Sequence, residues 1–283
     1  MDNKNEKWKT FYDEMEEDKE RDRIAFLKRI VKSGLFHINP DIDFYKFNKI
    51  YIDLDSILSL VIKEDLPASK YLKKEMSSYI LDAFRDFFQF YDDTAQIYII
   101  YNFKVNTPFN KIFEGWCKER YSRYTNKDIM SFIKNDFLKR LKKYSEAVQN
   151  VEILEAKDAT VLTIMRMMNM NEDNTKSLIL SRDPHFACVL SYHNTSWYNG
   201  KNIINRDNYI NEKEIPNVHY SLFPNYYLIC GMKRNEYPGK LKFGPKKTVD
   251  YIQAHKPTII DLSDFIYEDV IAYKDLFFLN NIV

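Results

Sequence analysis

The feature that most restricts the fold is a set of short apolar runs spaced along the first two thirds of the chain. They read KIYIDLDSIL (49–58), QIYIIYNF (96–103), VEIL (151–154) and SLIL (177–180). Continuous Ile, Leu, Val and Tyr, without strict polar alternation, suits strands buried on both faces. Longer segments with helical spacing separate the runs. Strands alternating with helical crossovers predict an α/β fold built on a mostly parallel sheet with helices on both faces.

The intervening segments carry helix signals. LPASKYLKKEMSSYILDAFRDFFQFY (66–91) starts with a proline suited to a first turn. Residues 107–148 are helical in pattern and rich in Lys, Arg and aromatics. AKDATVLTIMRMMNM (156–170) places apolar residues three and four apart, and SRDPHFACVL (181–190) also reads as helical. Residues 5–33 set Trp8, Phe11, Met15, Ile24, Leu27 and Ile30 among dense charge, the pattern of an amphipathic helical extension over 1–45. Residues 199–225 show no clear period.

Composition limits the function classes. Formal net charge is +1, so any affinity for nucleic acid must come from local patches. The three cysteines lie far apart without a CxxC pair, which argues against a zinc site or disulfide framework and fits a reducing cytoplasm. The first residues are too charged for a signal peptide, and no apolar run reaches the roughly 18 residues of a membrane span. The 21 tyrosines and 20 phenylalanines are read as core, with only a few free to stack on bases.

In open parallel sheets, ligands gather at the C-terminal strand ends. Here those ends carry Asp53 and Asp55, Asn102, Glu155 and Asp158, and Asp183. Carboxylates from separate strands on one edge suit a hard divalent cation. Any one of them also suits a helix cap. Asp55 has both readings: it can partly compensate for Asn102 at the site, or cap a helix beginning near Ser56.

With these residues placed, the chain resembles the flap endonuclease and 5′→3′ exonuclease superfamily, with its PIN-like α/β core. YIDLDSIL matches the first strand ending in an acid, and EAKDATVL matches Glu-Ala-Asp-Asp. SRDPHFACVL matches Ser-Gly-Asp-x-Asp-Phe, and LICGMKRNEYPGKLKFGPKKT matches the helix-hairpin-helix. The motifs occur in family order across about residues 48–256. The resemblance implies a nuclease-like domain over 46–283, with a helical arch at about 105–148 and the hairpin element at about 222–256.

It also implies residue roles. Asp53, Glu155, Asp158 and Asp183 would be the catalytic and metal-binding acids, holding Mg²⁺ or Mn²⁺. Gly239, Gly244, Lys246 and Lys247 would hold duplex phosphates, with K⁺ a further candidate at the hairpin. Between 231 and 256 there are seven Lys or Arg against two acids, so the local field favours DNA. In the arch segment KIFEGWCKERYSRYTNKD, Lys118, Arg120 and Arg123 would hold the 5′ single strand. Trp116, Tyr121 and Tyr124 there either stack on bases or pack inward.

Departures from the pattern weigh on activity. Asn102, Lys157, His185, Met232 and Asn235 stand where the family has acids. Two adjacent divalent ions need a cage of carboxylates, and Met is a poor ligand for Mg²⁺. Lys157 would set an ammonium beside the ions; like unit charges 4 Å apart repel by about 4 kcal/mol at an effective dielectric near 20. Three readings follow. The first is a divergent DNA-binding protein for branched or single-strand/duplex DNA with little or no cleavage. The second is a working 5′ nuclease with a remodelled site. The third is an assembly protein reusing the fold, docking to a protein partner through residues 1–45. The Lys, Asn, Ile and Tyr bias suits an AT-rich genome, such as a virus or phage, and so a host cytoplasm or virion.

Overall fold

The computed structural model describes residues 46–61, 95–103, 126–148, 150–156, 160–169, 175–192, 194–212, 215–231 and 243–256, with residues 25, 74, 77, 78 and 81. Six strands form one sheet: β1 Lys49–Asp53, β2 Gln96–Tyr101, β3 Val151–Glu155, β4 Ser177–Leu180, β5 Thr195–Tyr198 and β6 Ile203–Ile204. Their spatial order is β3-β2-β1-β4-β5-β6. Pairings among β1 to β5 are parallel, and β6 joins β5 antiparallel. This is the mostly parallel α/β sheet that the apolar runs predict. Chain order reverses between β1 and β4, so the crevice beyond their C-terminal ends is the topological switch point.

The runs form strands because their side chains fill both faces. Ile50, Tyr51 and Ile52 of β1, Ile99 and Ile100 of β2, and all of β4 are buried. Tyr51 and Tyr98 are register partners, and their rings stack at 5.3 Å, so β-branched and aromatic neighbours reinforce the pairing. Trp197, Tyr198, Phe132, Phe137 and Phe186 are the largest fully buried side chains besides Tyr51.

Helix α1 spans Leu54–Val61. A helical stretch then runs through α2 (Lys127–Ser131), a π-helical turn (Phe132–Phe137) and α3 (Leu138–Ala147). Asn126 caps its start, accepting from the Asp128 and Ile129 amides. Helix α4 is Thr160–Asn169. After β4, the segment Pro184–Ser191 forms a 3₁₀ helix. Helices α5 (Phe223–Cys230) and α6 (Pro245–His255) pack on each other. Among the described residues, no helix is long and apolar enough to cross a membrane.

Two expectations change. The first apolar run divides: the strand stops at Asp53, and Leu54 already begins α1. The cap is therefore Asp53, whose Oδ1 accepts the Ser56 amide at 3.2 Å; Asp55 lies inside the first turn, not ahead of it. β5, just before the stretch 199–225 that shows no period, and β6 within it were announced by no periodicity. β5 is four residues, TSWY, entered through Asn194 at φ 55, and β6 is only two.

The segment 66–91 as a helix, the extension 1–45 and the tail beyond 256 lie outside the described residues, apart from residues 25, 74, 77, 78 and 81.

Candidate functional site at the sheet's C-terminal edge

The switch point is built on Asp53, the last residue of β1, and Asp183, three residues beyond the neighbouring β4, both buried. Ile52 pairs with Leu180, so extending the register one residue sets Asp53 opposite Ser181. The Ser181 hydroxyl donates to Asp53 Oδ2 at 2.6 Å, and the Asp183 amide donates to the Ser181 oxygen at 3.0 Å. Ser181 is itself fixed by the Trp197 indole, whose Nε1 donates to its carbonyl at 2.7 Å. One serine thus joins the two acids. The Arg182 amide donates to Ser56 Oγ at 2.8 Å, tying the same loop to α1.

Asp55 forms a second knot. It accepts the Asn102 amide at 3.3 Å on each carboxylate oxygen, and the Thr160 hydroxyl at 2.6 Å on Oδ2. Asp55, Asn102 and Thr160 are all buried, so this carboxylate joins α1, the end of β2 and the start of α4. A buried charge of this kind is tolerated because its oxygens are met by donors. Asp55 contacts the Asn102 backbone here, and the capping role weighed for it from the sequence falls to Asp53.

Behind Asp183 the surroundings keep acids protonated. Burial first, then the Asp183 charge, pushes the Cys188 thiol far above its ordinary value. Tyr227 is raised well above 10.0 by burial, then by Cys188, Tyr226, Asp183 and Cys230. Its hydroxyl donates to the Pro184 carbonyl at 3.2 Å.

Glu155 takes a different place. It is level with Tyr101, whereas Asp53 is level with Ile100. Following the pleat, Glu155 and Asp53 leave opposite faces of the sheet, from strands two apart, or about 10 Å. Glu155 is exposed. Burial first, then the Glu155 charge, raises the Tyr101 hydroxyl above 10.0, so it remains a neutral donor.

At the start of α6, Gly244 is the extended cap residue and Pro245 the first helical residue. A Cβ on Gly244 would meet nothing within 4 Å, so this helix start stands open. Lys246 and Lys247 are exposed beside it, with the Lys247 ammonium 4.7 Å from the centre of the Phe243 ring.

The structure therefore joins Asp53 to Asp183, sets Glu155 apart, and places Gly244, Lys246 and Lys247 together at a helix start. Lys118, Arg120, Arg123, Lys157, Asp158, Met232, Asn235 and Gly239 lie outside the described residues, as does the side chain of His185. Among the described residues, no three His, Cys, Asp or Glu side chains form a group that could hold a metal ion. Sequence reasoning named Ser181 only as the serine of a matched motif, with no role, and passed over Thr160. The available signal was a small hydroxyl residue directly after a strand, or opening a helix, beside an acid-bearing strand end.

No protein-family model and no curated protein matches the chain. Solved structures do. The bacteriophage T5 D15 protein co-crystallised with metal ions aligns with TM-score 0.54 at 13% identity, over 82% of this chain and 86% of that one. A bacteriophage T5 D15 flap endonuclease pseudo-enzyme–product complex with DNA and metal ions aligns at 0.51 and 11%, over 81% and 86%. T5 5′-exonuclease with bound zinc aligns at 0.50 and 12%, over 81% and 86%. At such identities the likeness speaks for the fold, which is flap-endonuclease-like.

Proposed function

We propose that this chain is a flap-endonuclease-like DNA-binding protein for branched or single-strand/duplex DNA, with two-metal cleavage lost or nearly lost. The observation that carries the reading is the use made of the strand-end acids. Both oxygens of Asp53 accept protein donors, from Ser56 and Ser181, and both oxygens of Asp55 accept the Asn102 amide. These carboxylates hold elements together. In the sequence, Lys157 and Met232 further reduce the negative charge that a pair of divalent ions would need. The described donors fit such a pair poorly.

DNA binding rests on the fold and on the open start of α6. The first-turn amides and the positive dipole end there are suited to a phosphate, with Lys246 and Lys247 alongside. Gly239, with Lys118, Arg120 and Arg123, completes this assignment from sequence, the last three toward a 5′ single strand. Residues 1–45 are assigned to a protein partner.

A titration of 5′-flap DNA against plain duplex, across a series of salt concentrations, tests the reading. Preference for the flap, with affinity falling steeply as salt rises, is the expected result. No affinity at low salt would leave protein contact as the surviving function.

A second reading has one observation in its favour: Asp53 and Asp183 are both buried at the switch point, where Ser181 links the Asp53 carboxylate to the Asp183 backbone amide. A remodelled nuclease site could be built on them with Glu155 and Asp158, using Mg²⁺ or Mn²⁺. Flap cleavage that disappears in Asp183→Asn would favour it.

A further inference from the structure

The turn between β5 and β6 holds the chain's one Asn-Gly pair, Asn199 and Gly200. Tyr198 pairs with Ile203, so residues 199–202 form the loop of a hairpin. The Asn199 backbone amide donates to the Asn202 carbonyl at 3.3 Å, and the Asn202 side chain donates to Glu212 at 2.8 Å. Gly200 sits at φ 96, a backbone setting that glycine adopts freely. Leu180 pairs with Tyr198, so extending the register one residue sets Asn199 level with Ser181, at the same sheet edge as the buried acids.

The turn surrounds the Asn199 side-chain amide in a specific way. Its Oδ1 accepts two backbone amides, from Lys201 at 2.9 Å and from Asn202 at 3.0 Å. Two N–H donors on one atom identify it as the oxygen. They polarise the Cγ–Oδ1 bond and are placed to hold an oxyanion when that carbon is attacked. Among the described residues, neither Nδ2 of Asn199 nor the backbone N–H of Gly200 has a protein partner. Asn199 and Gly200 are half-buried, and Lys201 and Asn202 are exposed, so water and hydroxide reach the turn. Gly200 carries no Cβ to screen its nitrogen from Cγ.

An asparagine here has an ordinary structural use, since its side chain commonly bonds the backbone two residues on. Aspartate would serve that use as well, because only the oxygen is engaged. What the amide adds is a leaving group. A nucleophile, a polarised carbonyl and that leaving group lie within two adjacent residues.

We propose that Asn199–Gly200 is a self-modification site, at which the folded turn converts Asn199 to an acidic residue with water as the only co-reactant. Hydroxide takes the Gly200 N–H proton, and the nitrogen forms a bond to Asn199 Cγ. The Cγ–Nδ2 bond breaks, and Nδ2 leaves as ammonia after taking a proton from water, which restores the hydroxide. Water then opens the cyclic imide. Opening at Cγ gives aspartate, and opening at the Asn199 main-chain carbonyl gives isoaspartate. The aspartate keeps both amide bonds, now charge-assisted, so the turn accepts this product. The inference goes beyond the DNA reading, since it needs neither DNA nor a metal.

Peptide-mapping mass spectrometry of the full chain tests it, with one sample folded at mildly alkaline pH and a second at the same pH in urea. Asn199 should convert ahead of every other asparagine, its peptide gaining the difference between OH and NH₂, at a rate that rises with pH. The folded chain should convert at least as fast as the chain in urea, where both amide donors are gone. Asn199→Asp, which carries the product side chain, should keep the parent's melting temperature. No conversion at Asn199, a folded rate below the rate in urea, or a lowered melting temperature in Asn199→Asp would each overturn the proposal.

Discussion

At the centre of the sheet's C-terminal edge, Asp53, Asp55 and Asp183 are buried, and Asp53 and Asp55 accept hydrogen bonds from Ser56, Ser181, Asn102 and Thr160. Two strands outward, Glu155 is exposed and shares a cleft with Lys134, Lys139 and Lys142, whose ammonium groups face solvent. The first region turns its charge inward, toward backbone and hydroxyl donors. The second keeps its charge at the surface. A carboxylate met by protein donors stabilises the fold, and its desolvation is offset only while those donors stay. An exposed ammonium contributes almost nothing to stability and much to a local field. Position at one edge of one sheet therefore does not fix a residue's job; what meets its polar atoms does.

The largest expected effect breaks the inner region. Asp55→Ala would strand the Asn102 amide and the Thr160 hydroxyl in a buried setting, at a cost of about 3 kcal/mol or more. Urea denaturation would read this as a lowered midpoint. A loss below about 0.5 kcal/mol would mean that water reaches Asp55 and that the knot is not structural.

A pH series sharpens the same contrast. Cys188 and Tyr227 have folded-state values raised above 9.0 and 10.0, chiefly by burial. On unfolding they release protons more readily, so the unfolded state binds fewer protons and stability falls as pH rises. The stability that they contribute should be complete below about pH 8 and decline above pH 9, as the unfolded thiol and then the phenol ionise. A denaturation midpoint that is flat between neutral and alkaline pH would contradict their burial behind Asp183.

The smallest effect belongs to exposed charge. Lys246→Gln and Lys247→Gln should leave the denaturation midpoint within about 0.5 kcal/mol of the parent. Each should weaken flap binding by a few-fold and lower the salt slope by about one phosphate contact. An unchanged slope in both would remove the start of α6 from the DNA interface.

Legibility in the sequence followed the same division. The parallel sheet was readable because KIYID, QIYIIY and SLIL are largely buried and show it as apolar runs, while VEIL, at the sheet edge, is only half-buried and was readable by its place between helical segments. The strand-end acids were readable by position. Their partners were not: the donors to Asp55 come from residues 47 and 105 positions away, and that to Asp53 from 128 away. Local spacing made Asp55 a cap for a helix beginning near Ser56, yet Asp53 holds that place since the helix begins two residues earlier, at Leu54. β5 and β6 went unread because four and two residues are too short to display a period.

The most direct test of the inward use of the acids is the denaturation midpoint of the parent chain and Asp53→Asn, each with Mn²⁺ and with monovalent salt of equal ionic strength. The account predicts that Asp53→Asn lowers the midpoint in either medium, and that Mn²⁺ leaves the parent where monovalent salt does. A higher midpoint for Asp53→Asn, with Mn²⁺ stabilising only the parent, would show carboxylates held in mutual repulsion for a cation and would contradict it.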